Sequence, residues 1–132
     1  MITAVDSSVL WAILKRETGS EGWLKVLFQA AGEGQLLICP VAFAELAPST
    51  SSPQELRRFL EELSVVYSPL GPEAAHHAGT VFKRYRQAGG PREYLVPDFL
   101  IAAHAIVQAD RLAALDRGYL RRWFPELRLL VP

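Results

Sequence analysis

Four carboxylates interrupt apolar stretches of this chain. Asp6 closes the run "ITAVD", Glu45 breaks "PVAFAELA", Asp98 opens "DFLIAAHAIV" and Asp116 closes "RLAALD". An ionised carboxylate is seldom buried without a partner, because removing it from water costs on the order of several kcal/mol. Carboxylates brought close raise one another's pKa and repel, and a divalent cation relieves the repulsion. Carboxylate and water ligands suit Mg²⁺ or Mn²⁺. Mg²⁺ keeps several waters and favours phosphate-bearing substrates, and a metal-bound water is a competent nucleophile. The four acids are thus candidates for metal-assisted chemistry, with Glu45 charged because it faces an ion. Two other readings stay open. Asp6, Asp98 and Asp116 each precede a helical stretch and could be N-caps. Glu45 lies inside its helix and could form a buried ion pair with a distant arginine.

The elements that must position these acids follow from periodicity. "ITAVD", "QLLICP", "SVVYSPL", "RLAAL" and "ELRLLVP" read as strands. "SSVLWAILKRE", stopped by Thr18-Gly19, and "SEGWLKVLFQAA", ended by Gly32 and Gly34, show helical spacing. Pro40 opens the helix that contains Glu45, and Ser52-Pro53 supplies a cap and first residue for "QELRRFLEEL". A long amphipathic helix runs to Gly89-Gly90, "PREYLVP" is a loop, and the helix begun by Asp98 is apolar enough to be central. "RGYLRRWF" is a short helix. Strands that are nearly all apolar and alternate with helices indicate a parallel sheet covered on both faces, in one α/β domain spanning 1–132. In such sheets ligands bind beyond the carboxyl ends of the strands, where Asp6 and Asp116 lie.

Bulk properties narrow the class. Over 132 residues, 50% are hydrophobic and 21% charged, an ordinary globular balance. Fourteen basic residues match 14 acidic ones, so net charge alone would not hold the protein on nucleic acid. No apolar run approaches the roughly 20 residues needed to span a bilayer, and "MITAVD" lacks a basic region leading into an apolar one. A non-exported, cytoplasmic protein without a membrane association is expected. The lone Cys39 reads as a small core residue.

"AVDSSVLWAIL", "PVAFAEL", "VPDFLIAAHAIV" and "LAALDRGYLRRWFPELRLL" resemble, in order and spacing, the segments of PIN-domain ribonucleases, and among them the VapC-type toxins of prokaryotic toxin–antitoxin pairs. The likeness runs from end to end. It implies an α/β/α sandwich with a parallel sheet of about five strands, in which the first and fourth strands are neighbours. It implies a Mg²⁺- or Mn²⁺-dependent endoribonuclease, with Asp6 and Asp98 central to metal binding and Glu45 and Asp116 completing the ligand set or orienting the attacking water. It also implies a homodimer, an RNA substrate, and an antitoxin whose C-terminal segment fills the acidic groove. RNA-contact candidates are Arg117, Arg121 and Arg122, suited to bidentate phosphate contacts, and Ser7, whose hydroxyl would bond an acid or a phosphate if it does not simply cap its helix. The chain departs from many relatives in having Ala114 where a hydroxyl is common and Gly118 where an acid or amide is common.

Two other classes compete with this one. A phosphoacceptor receiver needs paired acids after the first strand, an acceptor aspartate ending the third and a late lysine. Asp6 has no neighbouring acid, the third strand ends "VVYSPL", and no lysine follows Lys83. A catalytically silent PIN-like scaffold or binding module fits Ala114 and Gly118 but gives no reason for Asp6, Glu45 and Asp98 to coexist. His76, His77 and His104 lack a metal-ligand pattern. Lys83, Arg84 and Arg86 read as the wet side of the long helix. Trp11, Trp23 and Phe28 read as helix-face packing or a dimer or antitoxin surface.

Overall fold

The structure is a computed structural model that describes residues 1–115 and 119–132, Tyr119 by its backbone alone. Asp116, Arg117 and Gly118, singled out above, lie outside the described residues. In chain order the elements are β1 (Thr3–Val5), α1 (Ser7–Leu14), α2 (Ser20–Glu33), β2 (Leu36–Ile38), α3 (Pro40–Leu46), α4 (Pro53–Glu62), β3 (Val65–Tyr67), α5 (Pro72–Gln87), α6 (Pro97–Gln108), β4 (Arg111–Ala113), α7 (Tyr119–Trp123) and β5 (Leu129–Leu130). The strands form one parallel sheet in the order β3-β2-β1-β4-β5, flanked by helices as an α/β/α sandwich. Among the described residues, no helix is long and apolar enough to cross a membrane.

The sheet order places β1 between β2 and β4, with Val5 level with Ala113 and the Asp6 N–H donating to the Ala113 carbonyl at 2.9 Å. This is the point at which the winding of the sheet reverses, where loops part and leave a crevice. The opposite edge is tied shut. Arg111 Nε donates to Thr3 Oγ1 at 2.9 Å, its guanidinium lies 2.8 Å from Glu33, and Asp110 accepts the Ile2 N–H at 2.6 Å. Asp110 and Arg111 therefore stabilise the amino edge, leaving the carboxyl edge for chemistry.

Local differences from the sequence expectation have identifiable causes. β1 and β2 are buried along their whole length, but β3 is an edge strand with Val66 and Tyr67 half exposed. α1 stops at Leu14, before Thr18-Gly19, in a C-terminal motif with no glycine. Arg16 takes φ +52° while its N–H bonds Ile13 O and the Glu17 N–H bonds Ala12 O. That pattern usually calls for glycine at the left-handed position. α4 begins as expected: Ser52 Oγ accepts the Glu55 N–H at 3.1 Å, with Pro53 as the first helical residue.

The core is built around α6, whose residues Ile101 to Ala105 are all buried. His104 sits there fully buried, with Nε2 at 3.1 Å from Ser68 Oγ and Nδ1 without a hydrogen-bond partner. It is thus a structural histidine. Burial lowers its pKa below the ordinary value of 6.5, more than the bond to Ser68 raises it. The unfolded chain then binds the proton more tightly than the folded one. Stability is full above about pH 6.5 and declines as pH falls below it. Urea melts at pH 7.5 and pH 5.5 should show this loss in the wild type and a smaller loss in His104→Gln. An equal loss in both would place the titrating group elsewhere.

Candidate active site

Asp6 follows β1 directly and remains 7% exposed. Its side chain caps α1: Oδ2 accepts the Ser8 N–H at 3.2 Å and the Ser8 hydroxyl. Both bonds fall on Oδ2, and Oδ1 takes part in neither. The capping expectation for Asp6 is met, and capping leaves the second oxygen for another duty.

With Asp6 as the cap, Ser7 is released from that role. Its hydroxyl donates instead to Glu45 Oε1 at 2.9 Å, linking the first residue of α1 to the sixth of α3. Glu45 is exposed rather than buried, so the alternative of a buried ion pair fails. Its apolar neighbours serve the other side of a short helix, where Ala42 and Leu46 are buried. Cys39, between β2 and α3, feels both acids. Burial raises its thiol pKa most, and the negative charges of Asp6 and Glu45 raise it further. It remains a protonated core thiol, as its sequence setting suggested. Asp6, Ser7 and Glu45 are thus gathered at the carboxyl ends of β1 and β2.

Asp98 is the second residue of α6 and is half-buried. The residue in the N-cap position is Val96, in extended conformation, because Pro97 occupies the first helical position. The capping reading of Asp98 is therefore wrong. An acid in a first turn is still favoured by the helix dipole, by roughly 0.3–1 kcal/mol at exposed sites. Phe99 holds this turn in place. It is fully buried, with edge-to-face contacts to Tyr85 at 5.4 Å and to Phe124 at 5.3 Å. Asp98 and Glu45 border one cleft of about 380 Å³, whose other wall is the loop containing Arg92 and Tyr94. A second cleft of the same size joins Glu45 to Ser7, Trp11 and Leu115.

Among the described residues, no group of three or more histidine, cysteine, aspartate or glutamate side chains is close enough to hold an ion. Glu45 is bonded to Ser7, the neighbour of Asp6, and shares a cleft with Asp98, but the three acids are not closed into a cage. Their chemistry nevertheless fits Mg²⁺ or Mn²⁺: the donors are oxygens, and Mg²⁺ needs only one or two carboxylates because it retains waters. His77 pairs with Glu126 at 3.0 Å, and His76 is exposed on α5.

The basic candidates divide. Arg121 and Arg122 are exposed on α7, and the Arg122 guanidinium lies over the Trp123 ring at 5.2 Å. Lys83, Arg84 and Arg86 are the wet face of α5, as expected. Trp23 is core at 5% exposure, whereas Phe28 is 85% exposed. Arg92 and Tyr94, which the sequence places in a loop, line the cleft that holds Glu45 and Asp98. The available signal was an aromatic residue and an arginine just before the acid that opens α6.

Residues 3–123 match the sequence profile of the PIN domain. The chain belongs to the PIN-domain family. Solved structures with this PIN fold include VapBC2 from Rickettsia felis bound to a DNA fragment from their promoter, at TM-score 0.76. VapBC-1 from nontypeable Haemophilus influenzae matches at 0.69, and DNA-bound VapBC from Salmonella typhimurium at 0.66. Each is 18% identical, with 99% of this chain and 98% of the other covered. Comparison with curated proteins gives no significant match. The fold expected from the four motifs is that of the PIN domain, including the adjacency of β1 and β4.

Proposed function

We propose that this PIN domain, acting as one unit over 1–132, is a Mg²⁺- or Mn²⁺-dependent endoribonuclease and the toxin of a toxin–antitoxin pair. The observation that carries the proposal is the gathering of Asp6, Ser7 and Glu45 at the carboxyl ends of the central strands, with Asp98 across the adjoining cleft. Asp6 and Asp98 would hold the cation, with Glu45 and Asp116 completing the set. The chemistry such a cation supplies is Lewis-acid activation of water and of the phosphodiester.

The protein's own groups have separable tasks. Asp6 is fixed by its bonds to Ser8, which aim Oδ1 without a conformational search. Ser7 orients Glu45, whose exposure lets it take a proton from solvent or from an attacking water. Asp98 faces the same cleft from the start of a helix whose core anchor cannot swing. Arg117, Arg121 and Arg122 are proposed to steady RNA phosphates. Ala114 is buried and apolar, so no hydroxyl supports the acids from that position.

For partners, we propose a homodimer and a cognate antitoxin. Leu24 and Phe28, 40% and 85% exposed, line one apolar cleft, and Trp11, 40% exposed, lines the Ser7–Glu45 cleft; these are the exposed apolar surfaces a partner would cover. Calorimetric titration tests the metal assignment. Mn²⁺ should bind the wild type and bind Asp98→Asn at least about tenfold more weakly. Equal heats from both proteins would refute the assignment, and absence of binding to the wild type would favour a silent scaffold.

A further inference from the structure

Beyond α5 the chain is steered toward the site by two glycines. Gly89 takes φ +87°, a conformation that side chains disfavour, and turns the backbone out of the helix. A Cβ on Gly90 would fall 2.4 Å from the Tyr85 ring, so only glycine lets the chain rest against it. Arg86 Nη1 then donates to the Gly90 carbonyl at 2.6 Å, and the Gly90 N–H donates to Tyr85 O at 2.9 Å. Tyr85 is itself wedged against Phe99 and Trp123, each at 5.4 Å. The loop 91–96 thus leaves from a fixed base and returns at Pro97, the first residue of α6.

Between these anchors the loop presents Tyr94, 84% exposed. A single exposed apolar residue needs no explanation, but the setting of this one is chemical. Tyr94 and Arg92 line the cleft of about 380 Å³ that also contains Glu45 and Asp98. Arg92 is exposed and belongs to none of the salt bridges among the described residues. A flat aromatic face and an uncommitted guanidinium beside acids are the elements of a single-strand nucleic-acid groove: stacking for the base, charge for the backbone.

We propose that Tyr94 is a stacking platform for an unpaired base of single-stranded RNA and Arg92 its phosphate contact, so that the nucleotide beside the reacting bond is held by its ring face. The proposal rests on the nuclease reading above. Stacking of this kind tolerates any base but requires it to be unpaired, because a paired base offers no free face.

The test uses the purified chain and a short oligouridylate containing one 2-aminopurine, which is largely unstacked in the free strand and whose fluorescence falls when it stacks. Ca²⁺ replaces Mg²⁺ to offset the acids' charge, being a hard cation with the same oxygen preference, and the oligonucleotide is checked to be intact afterwards. Wild type should bind with quenching. Tyr94→Ala should bind roughly tenfold or more weakly without quenching, and Tyr94→Trp should retain both. Arg92→Ala should flatten the salt dependence by about one phosphate contact. Because Tyr94 is exposed, melting temperatures should not change. Wild-type affinity and quenching in Tyr94→Ala would overturn the platform and leave the nuclease reading intact. A wild type that binds no single-stranded RNA, while folded, would overturn both.

Discussion

Asp6→Asn should reduce metal-dependent RNA cleavage by more than about a hundredfold while leaving the fold and its stability nearly unchanged. The size of the effect follows from the role: loss of groups that merely support a metal ligand costs about 10–100-fold, and Asp6 is proposed as a ligand itself. The choice of asparagine follows from the geometry. Asp6 is both the N-cap of α1 and a candidate ligand, so Asp6→Ala would confound the two, costing about 1 kcal/mol through the lost cap alone. Asparagine caps as well as aspartate, so Asp6→Asn keeps the Ser8 contacts within reach and removes only the charge. Cleavage rates and denaturant melts on the same preparation separate the roles. Near-normal cleavage would reduce Asp6 to a cap. A large fall in stability would show that the substitution had done more than remove a charge.

Phe99→Ala should destabilise the protein by about 3–5 kcal/mol, the cost of emptying a buried aromatic site, with a fall in Tm of roughly 10 °C or more. Phe99 joins three elements: it meets Tyr85 and Phe82 of α5 at 5.4 and 6.4 Å, and Phe124 just past α7 at 5.3 Å. It also directly follows Asp98, so its loss frees the acid's helical turn. Below the melting transition, cleavage should therefore fall in Phe99→Ala, whereas Phe99→Leu, which keeps most of the volume, should retain more of both properties. A Phe99→Ala protein with wild-type Tm would mean that the aromatic cluster is not what fixes the start of α6.

Strand and helix order were legible in the chain because apolar strands and amphipathic helices differ in period, and because Pro40 and Pro53 mark helix starts. What sequence could not show was set by contacts between distant segments. Glu45 lies 38 residues from the Ser7 hydroxyl that orients it. Its exposure is equally hidden in "VAFAEL", where small and apolar neighbours suggest burial. Ser7 seemed a cap because it begins a helix, yet Asp6 had already taken that duty. The alternative that Asp98 caps its helix fails because Pro97 holds the first helical position. The stop of α1 was obscured because Arg16 adopts positive φ, at 52°, where glycine would have announced the turn. The half-exposed edge of β3 depends on sheet order, which no local pattern encodes.

The measurement closest to the central claim is cleavage of structured RNA by the purified, antitoxin-free protein, with Mg²⁺ or Mn²⁺, then with excess chelator, then with the cation restored. The account predicts cleavage that chelation abolishes and either cation recovers, because the only activating groups proposed are carboxylates that work through a bound ion. Cleavage that persists undiminished in chelator would contradict it.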